Sequence, residues 1–206
     1  MTDESVLRLQ VLTLGEWETN CYVLADGGEC IVVDPAAEAE RILAAVEGVT
    51  VRAILLTHGH LDHVQALDEV RSAAGVPLGL HPADADEFGI EGDLDLDDGH
   101  ALAVGGAEVR VVHTPGHTPG SICFRFDRRA LVGDTLFPGG PGHSRSPEAL
   151  AQILASLRDK VFVWPDDTHF YPGHGEGSTI GDVRPAFEAF LARPRSPELC
   201  GDVEWG

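Results

Sequence analysis

The chain has 206 residues, enough for one domain with a substantial core and cramped for two. Its 34 acidic against 14 basic residues give a formal net charge of -20, a surface that repels nucleic-acid phosphates and anionic membranes. Apolar content of 43% is ordinary for a globular protein, and no apolar run is long enough to span a bilayer.

Alternating apolar runs at 6–12, 20–24 and 30–33, with Asp26-Gly27-Gly28 as a turn, predict three strands. Asp34-Pro35 ends the third. Ile42, Leu43 and Val46 then fall at helical spacing over 37–46, and a short branched-aliphatic run at 51–56 reads as a buried strand. A helix is predicted over 62–74, closed by Gly75, and a short strand at 76–80. Residues 82–100 read as an acidic loop with one helical turn at 84–88. Strand character returns at 101–104, 108–112, 121–126 and 130–132. Ser146 as N-cap and Pro147 in the first turn start a helix over 147–158. A strand near 169–171, a helix near 182–192 and a Pro-rich tail complete the chain. This order predicts an α/β fold of two facing sheets with helices outside, within a single domain over 1–206. Met1 to Ser5 lack the basic and apolar regions of a signal peptide, and Cys21, Cys30, Cys123 and Cys200 form no Cys-x-x-Cys pair. A cytoplasmic protein with reduced cysteines is expected.

Thr57-His58-Gly59-His60-Leu61-Asp62-His63 follows the strand 51–56 directly. Imidazole and carboxylate both bind zinc, iron and manganese, and strand ends are where α/β folds place their chemistry. Three more segments repeat the pattern of strand, sharp Gly/Pro turn and ligand-capable side chain. They place His117 in His113-Thr-Pro-Gly-His-Thr-Pro-Gly120, Asp134 after the run 130–133, and His174 in Tyr171-Pro-Gly-His-Gly175. Five histidines and two aspartates at four strand ends are enough for two metal ions with room for water.

With these segments the chain resembles the metallo-β-lactamase superfamily over nearly its whole length, from Asn20-Cys21-Tyr22 and Asp34-Pro35 to His174. The resemblance implies a four-layer αβ/βα sandwich with its metal centre at one edge. It implies a first metal on His58, His60 and His117, a second on Asp62, His63 and His174, and Asp134 bridging them. The ions would be two divalent metals, zinc first, with iron or manganese as alternatives. Asp62 would position or deprotonate the attacking water. Asp34 is expected either to orient a ligand or to end its strand as an Asp-Pro turn, and His113 to support the site.

An aspartate bridge resembles the hydrolase branches, not the antibiotic-degrading β-lactamases. Among those branches the motifs look most like short glyoxalase II-like proteins, which implies hydrolysis of a small-molecule thioester such as S-lactoylglutathione. A lactonase or other ester hydrolase is a further possibility. Two departures leave the substrate open. A basic C-terminal helical domain for glutathione is missing after His174, and the loop 138–145 diverges, with His143 and Arg145 as candidate substrate contacts. The rival reading is a persulfide dioxygenase with one iron on His58, His117 and Asp134.

Overall fold

The computed structural model describes residues 7–206. The readings made for Met1 to Ser5, and for Val6 as a strand start, lie outside them.

Six strands form the first sheet in sequential order: β1 (Arg8–Leu14), β2 (Thr19–Asp26), β3 (Glu29–Val33), β4 (Thr50–Leu55), β5 (Leu78–Leu80) and β6 (Leu94–Asp95). The first three pair antiparallel through tight turns, and the last three add on parallel because helices intervene. The second sheet holds β7 (Ala101–Val104), β8 (Ala107–His113), β9 (Ile122–Phe126) and β10 (Arg129–Gly133) in antiparallel succession. After a small hairpin, β11 (Leu136–Phe137) with β12 (Gly140–Pro141), the chain returns as β13 (His169–Pro172), parallel to β10, with β14 (Ser178–Thr179) at the edge.

Period-two alternation sorts these strands into layers. Tyr22, Leu24, Ile31 and Val33 of the first sheet meet Val109, Val111, Phe124 and Leu131 of the second in the central core. Their neighbours Cys21, Val23, Cys30 and Val32 face the other way, against α1 (Ala39–Ala45) and α3 (Leu67–Ala74). On the far side Cys123, Ala130 and Phe170 pack under α5 (Pro147–Ser156) and α6 (Ile180–Ala192). The result is the expected four-layer αβ/βα sandwich. Cys21, Cys30 and Cys123 are buried and unbridged, filling space as small apolar side chains. Among the described residues no helix is long and apolar enough to cross a membrane.

Several boundaries differ from the sequence reading for physical reasons. The helix predicted over 62–74 is broken into α2 (Leu61–Val64) and α3, because the Ala66 amide donates to the Pro35 carbonyl at 3.0 Å instead of continuing one spiral. Residues 82–88 form a full short helix, α4 (Pro82–Phe88), with Pro82 in its first turn and the His81 ring accepting from the Ala83 amide at 3.2 Å. The helix after Pro147 ends in a π-helical turn, Leu157–Val161. The Pro-rich tail is also packed. Val203 and Trp205 are buried, and the Trp205 amide donates to the Gly139 carbonyl at 2.9 Å.

Candidate metal centre

Five chain segments leave the carboxyl ends of β3, β4, β8, β10 and β13, and they converge on one edge of the sandwich. Asp34 leaves β3 with φ of 53°, a left-handed geometry that Asp tolerates better than most residues but that is still strained. The surroundings hold it there. Its fully buried carboxylate accepts from the Thr57 amide at 2.7 Å, the Thr57 hydroxyl at 2.6 Å and His63 Nδ1 at 2.9 Å. Asp34 thus fixes both the start of the His58–His63 turn and the ring at its end.

The structure brings the seven proposed ligands together. Ligand atoms of His58, His60 and His117 lie within 4.8 Å of one another, and the same holds for His58, His63 and Asp134 and for Asp62, His63 and His174. Asp134 lies between the two sides, 3.5 Å from His63 Nε2 and 3.7 Å from the Nε2 atoms of His117 and His174. Each outer histidine is aimed by its other nitrogen. His117 Nδ1 donates to the His143 carbonyl at 2.9 Å, and His174 Nδ1 to the Trp17 carbonyl at 3.0 Å. Gly173 cannot carry a side chain, since a Cβ there would collide with Asp134 Oδ1 and the His63 ring.

Electrostatics divide the cluster. Burial pushes His58 well below the usual histidine range. Burial also pushes His60 down to about 4, helped by the neighbouring His117 and Arg145, and lowers His117. On the other side His63 is driven up to about 10, burial being outweighed by the Asp34 and Asp134 carboxylates. The Asp62 hydrogen bond, 3.0 Å from carboxylate to Nε2, raises His174. That bond and the nearby His63 bring Asp62 down to about 2 against the opposing effect of burial.

The donor set passes a direct test of fit for a cation. His58 Nε2, His63 Nε2 and Asp134 Oδ1 are buried and have no hydrogen-bond partner. Orphaned polar atoms of this kind are costly, and three converging in one group point to an ion that would satisfy them. The cluster can therefore hold divalent metal.

The remaining candidates lie outside the cluster. His113 stacks on His81 with ring centres 3.9 Å apart and bonds the Pro119 carbonyl at 2.9 Å, so it braces the loop that carries His117. The exposed His143 ring sits 2.9 Å from the Asp202 carboxylate, and its backbone carbonyl, not its ring, reaches the cluster. Arg145 touches the rim, 3.2 Å from His60 Nε2 and paired with Glu87 at 2.8 Å. Sequence reasoning missed Thr57, Asp84 and Asn20. Asn20 donates to the Pro172 and Gly175 carbonyls at 3.1 and 2.9 Å and so holds the His174 turn. Asn20-Cys21-Tyr22 carried the family resemblance, but nothing in that run announced this contact.

Two facing sheets with a histidine–aspartate cluster at their shared edge define a metal-binding αβ/βα sandwich. The chain belongs to the metallo-β-lactamase superfamily, whose family model matches residues 14–180. It is 37% identical over 203 residues to an uncharacterized protein of Aquifex aeolicus, covering 88% of this chain and 96% of that one. It is 32% identical over 202 residues to hydroxyacylglutathione hydrolase GloC of Haemophilus influenzae, covering 86% and 95%. Two crystal structures share its fold. BLEG-1, described as a B3 metallo-β-lactamase, is 31% identical with a TM-score of 0.74 over 85% of this chain and 95% of that one. TTHA1623 in a di-iron-bound form is 32% identical with a TM-score of 0.70 over 84% and 95%. Membership points to metal-dependent hydrolysis.

Proposed function

We propose that this chain is a binuclear metal hydrolase that cleaves a small-molecule thioester, in the manner of glyoxalase II. The observation that carries the reading is the set of three orphaned buried atoms on His58, His63 and Asp134, lying between two further groups of ligand atoms. His58, His60 and His117 hold one divalent ion, Asp62, His63 and His174 the other, and Asp134 bridges them. Zinc fits the nitrogen and oxygen donors, and so do iron and manganese. The di-iron form of a relative 32% identical supports keeping iron in view.

Divalent ions at these positions supply a water of lowered pKa and an electrophile for an acyl carbonyl. The protein's own residues do the orienting. Asp62 has a carboxyl brought down to about 2, so at neutral pH it is ionised and a weak proton acceptor. Its role is to accept a hydrogen bond from the attacking water and hold it in line. His174, fixed by the Trp17 carbonyl, keeps Asp62 in place. Arg145 borders a cavity of about 130 Å³ lined by His117, Pro119, Ala149 and Gln152, where it meets an anionic group of the substrate. The reading is supported by the 32% identical hydroxyacylglutathione hydrolase relative. The acidic surface fits a diffusible small substrate better than nucleic acid or membrane.

The test is metal analysis of protein purified without added metal, with turnover assays on S-lactoylglutathione, other acyl thioesters, a lactone and a β-lactam. Two ions per chain with thioester cleavage support the reading. One iron with persulfide-dependent oxygen uptake overturns it in favour of a dioxygenase. Preferential β-lactam turnover moves the chain toward the branch that BLEG-1 represents.

A further inference from the structure

Asp84 is a charged residue with no exposed surface, and no role for it follows from the ligand set. It lies in the first turn of α4, outside every metal-ligand motif. One carboxylate oxygen accepts from the Gly59 amide at 2.9 Å and from the Thr118 hydroxyl at 2.8 Å. The other accepts from the Gly120 amide at 2.6 Å. Gly59 stands between His58 and His60, and Thr118 follows His117. One carboxylate therefore holds both turns that carry the imidazole side of the cluster.

The packing around these bonds is tight. A Cβ on Gly120 would lie 2.6 Å from the Asp84 amide nitrogen, so the two backbones meet with no room for a side chain. A Cβ on Gly59 would collide with the ring of Phe88 on the same helix, and that ring also packs edge-on against His60 at 5.3 Å. Thr118 is held from its other side by the Ser121 hydroxyl at 2.7 Å. Every hydrogen bond to the Asp84 carboxylate comes from these two turns, and none comes from an arginine or lysine.

We propose that Asp84 is a positioning residue for the first ion. It sets the distance between the His58–His60 turn and the His117 turn, and so tunes the affinity of that half of the centre independently of the other half. The inference rests on the metal-dependent reading above.

Stepwise zinc titration against a competing chelator tests it on the full chain. The substitutions are Asp84→Ala and Asp84→Asn, with His60→Ala and His174→Ala as references for the two halves. Asp84→Ala weakens the affinity that His60→Ala removes by roughly 10–100-fold, and leaves the one that His174→Ala removes within about threefold. Asp84→Asn falls between wild type and Asp84→Ala. Its oxygen can still accept from Gly59 and Thr118, while its amide faces the Gly120 amide donor to donor. This variant keeps the test decisive if Asp84→Ala does not fold. A fall in the melting temperature of the metal-free protein with both zinc affinities unchanged would make Asp84 a structural fastener and overturn the proposal. Equal weakening of both affinities would overturn it as well. If the wild-type chain binds no divalent ion, the metal-dependent reading itself fails. If wild type takes up two and Asp84→Ala does the same with unchanged affinities, this inference alone fails.

Discussion

The two halves of the candidate centre reach similar geometry by opposite electrostatics. His58, His60 and His117 are kept neutral by burial, so their lone pairs are available without prior loss of a proton. Asp62, His63 and His174 form an ionic network in which carboxylates hold protons on imidazoles. The difference teaches that a metal-free site of this kind is assembled on one side by desolvation and on the other by charge pairing. The imidazole half exchanges nothing for its ion, whereas the ionic half exchanges protons for its own.

Removing the residue shared by both halves has the largest expected effect. Asp134 approaches His63, His117 and His174, so Asp134→Ala should weaken both ions and lower turnover by more than about 100-fold while the fold survives. Metal analysis and circular dichroism check this. Unchanged metal content would end the bridging assignment and leave two independent sites.

Asp34→Ala should break the comparison on the ionic side alone. It strips the partner from His63 Nδ1 and from both donors of Thr57, all buried. Removing one member of such a buried pair costs roughly 3–5 kcal/mol of stability. Affinity for the ion on the ionic half should fall about 10–100-fold, with the imidazole half retained. Loss of both ions in step would show that the Thr57 bonds, which sit beside His58, matter more than the bond to His63.

The pH dependence of metal uptake should sharpen the contrast. In the metal-free protein His63 is raised to about 10, so at neutral pH an ion must displace its proton. Affinity for the ionic half should rise with pH by about tenfold per unit between roughly pH 7 and 9. The imidazole half, with His60 at about 4, should stay flat over that range. Stability of the metal-free protein follows the opposite sign. A folded pKa above the unfolded histidine value of about 6.5 stabilises fully below that pH, and the contribution is lost as pH rises through about 10. Calorimetry in buffers of different ionisation enthalpy would count the protons released. Equal release from both halves would erase the distinction.

What was legible in the sequence follows the same physical division. Period-two alternation in β2 and β3 and the strand-end position of His58, Asp134 and His174 marked the layers and the site, because both depend on local spacing. The break at Ala66 was invisible because it is set by the Pro35 carbonyl, a partner from another segment. Asp84 was hidden in an acidic stretch of unremarkable composition, and its meaning comes from glycine amides 25 and 36 residues away. His143 was legible as a residue near the site, but its contribution is a backbone carbonyl, which residue identity does not announce.

Arg145 gives the smallest effect and the finest test of the imidazole half. His117 gives its Nδ1 proton to the His143 carbonyl, so the neutral ring has its lone pair on Nε2. His60 Nδ1, 2.9 Å from that atom, must then be the donor, which leaves His60 Nε2 free to accept from Arg145. An ion between the two rings needs both facing lone pairs. His60 must then carry its proton on Nε2, and the guanidinium loses its acceptor there. Metal uptake should therefore release Arg145 toward the cavity, leaving only its exposed pair with Glu87, worth at most about 1 kcal/mol. Arg145→Ala should leave metal content and melting temperature nearly unchanged. It should raise KM about tenfold for thioesters carrying a carboxylate, the loss of one exposed charge-assisted contact, while kcat holds. A fall in kcat at constant KM would instead make Arg145 an organiser of His60, and equal loss on neutral thioesters would remove its part in reading substrate charge.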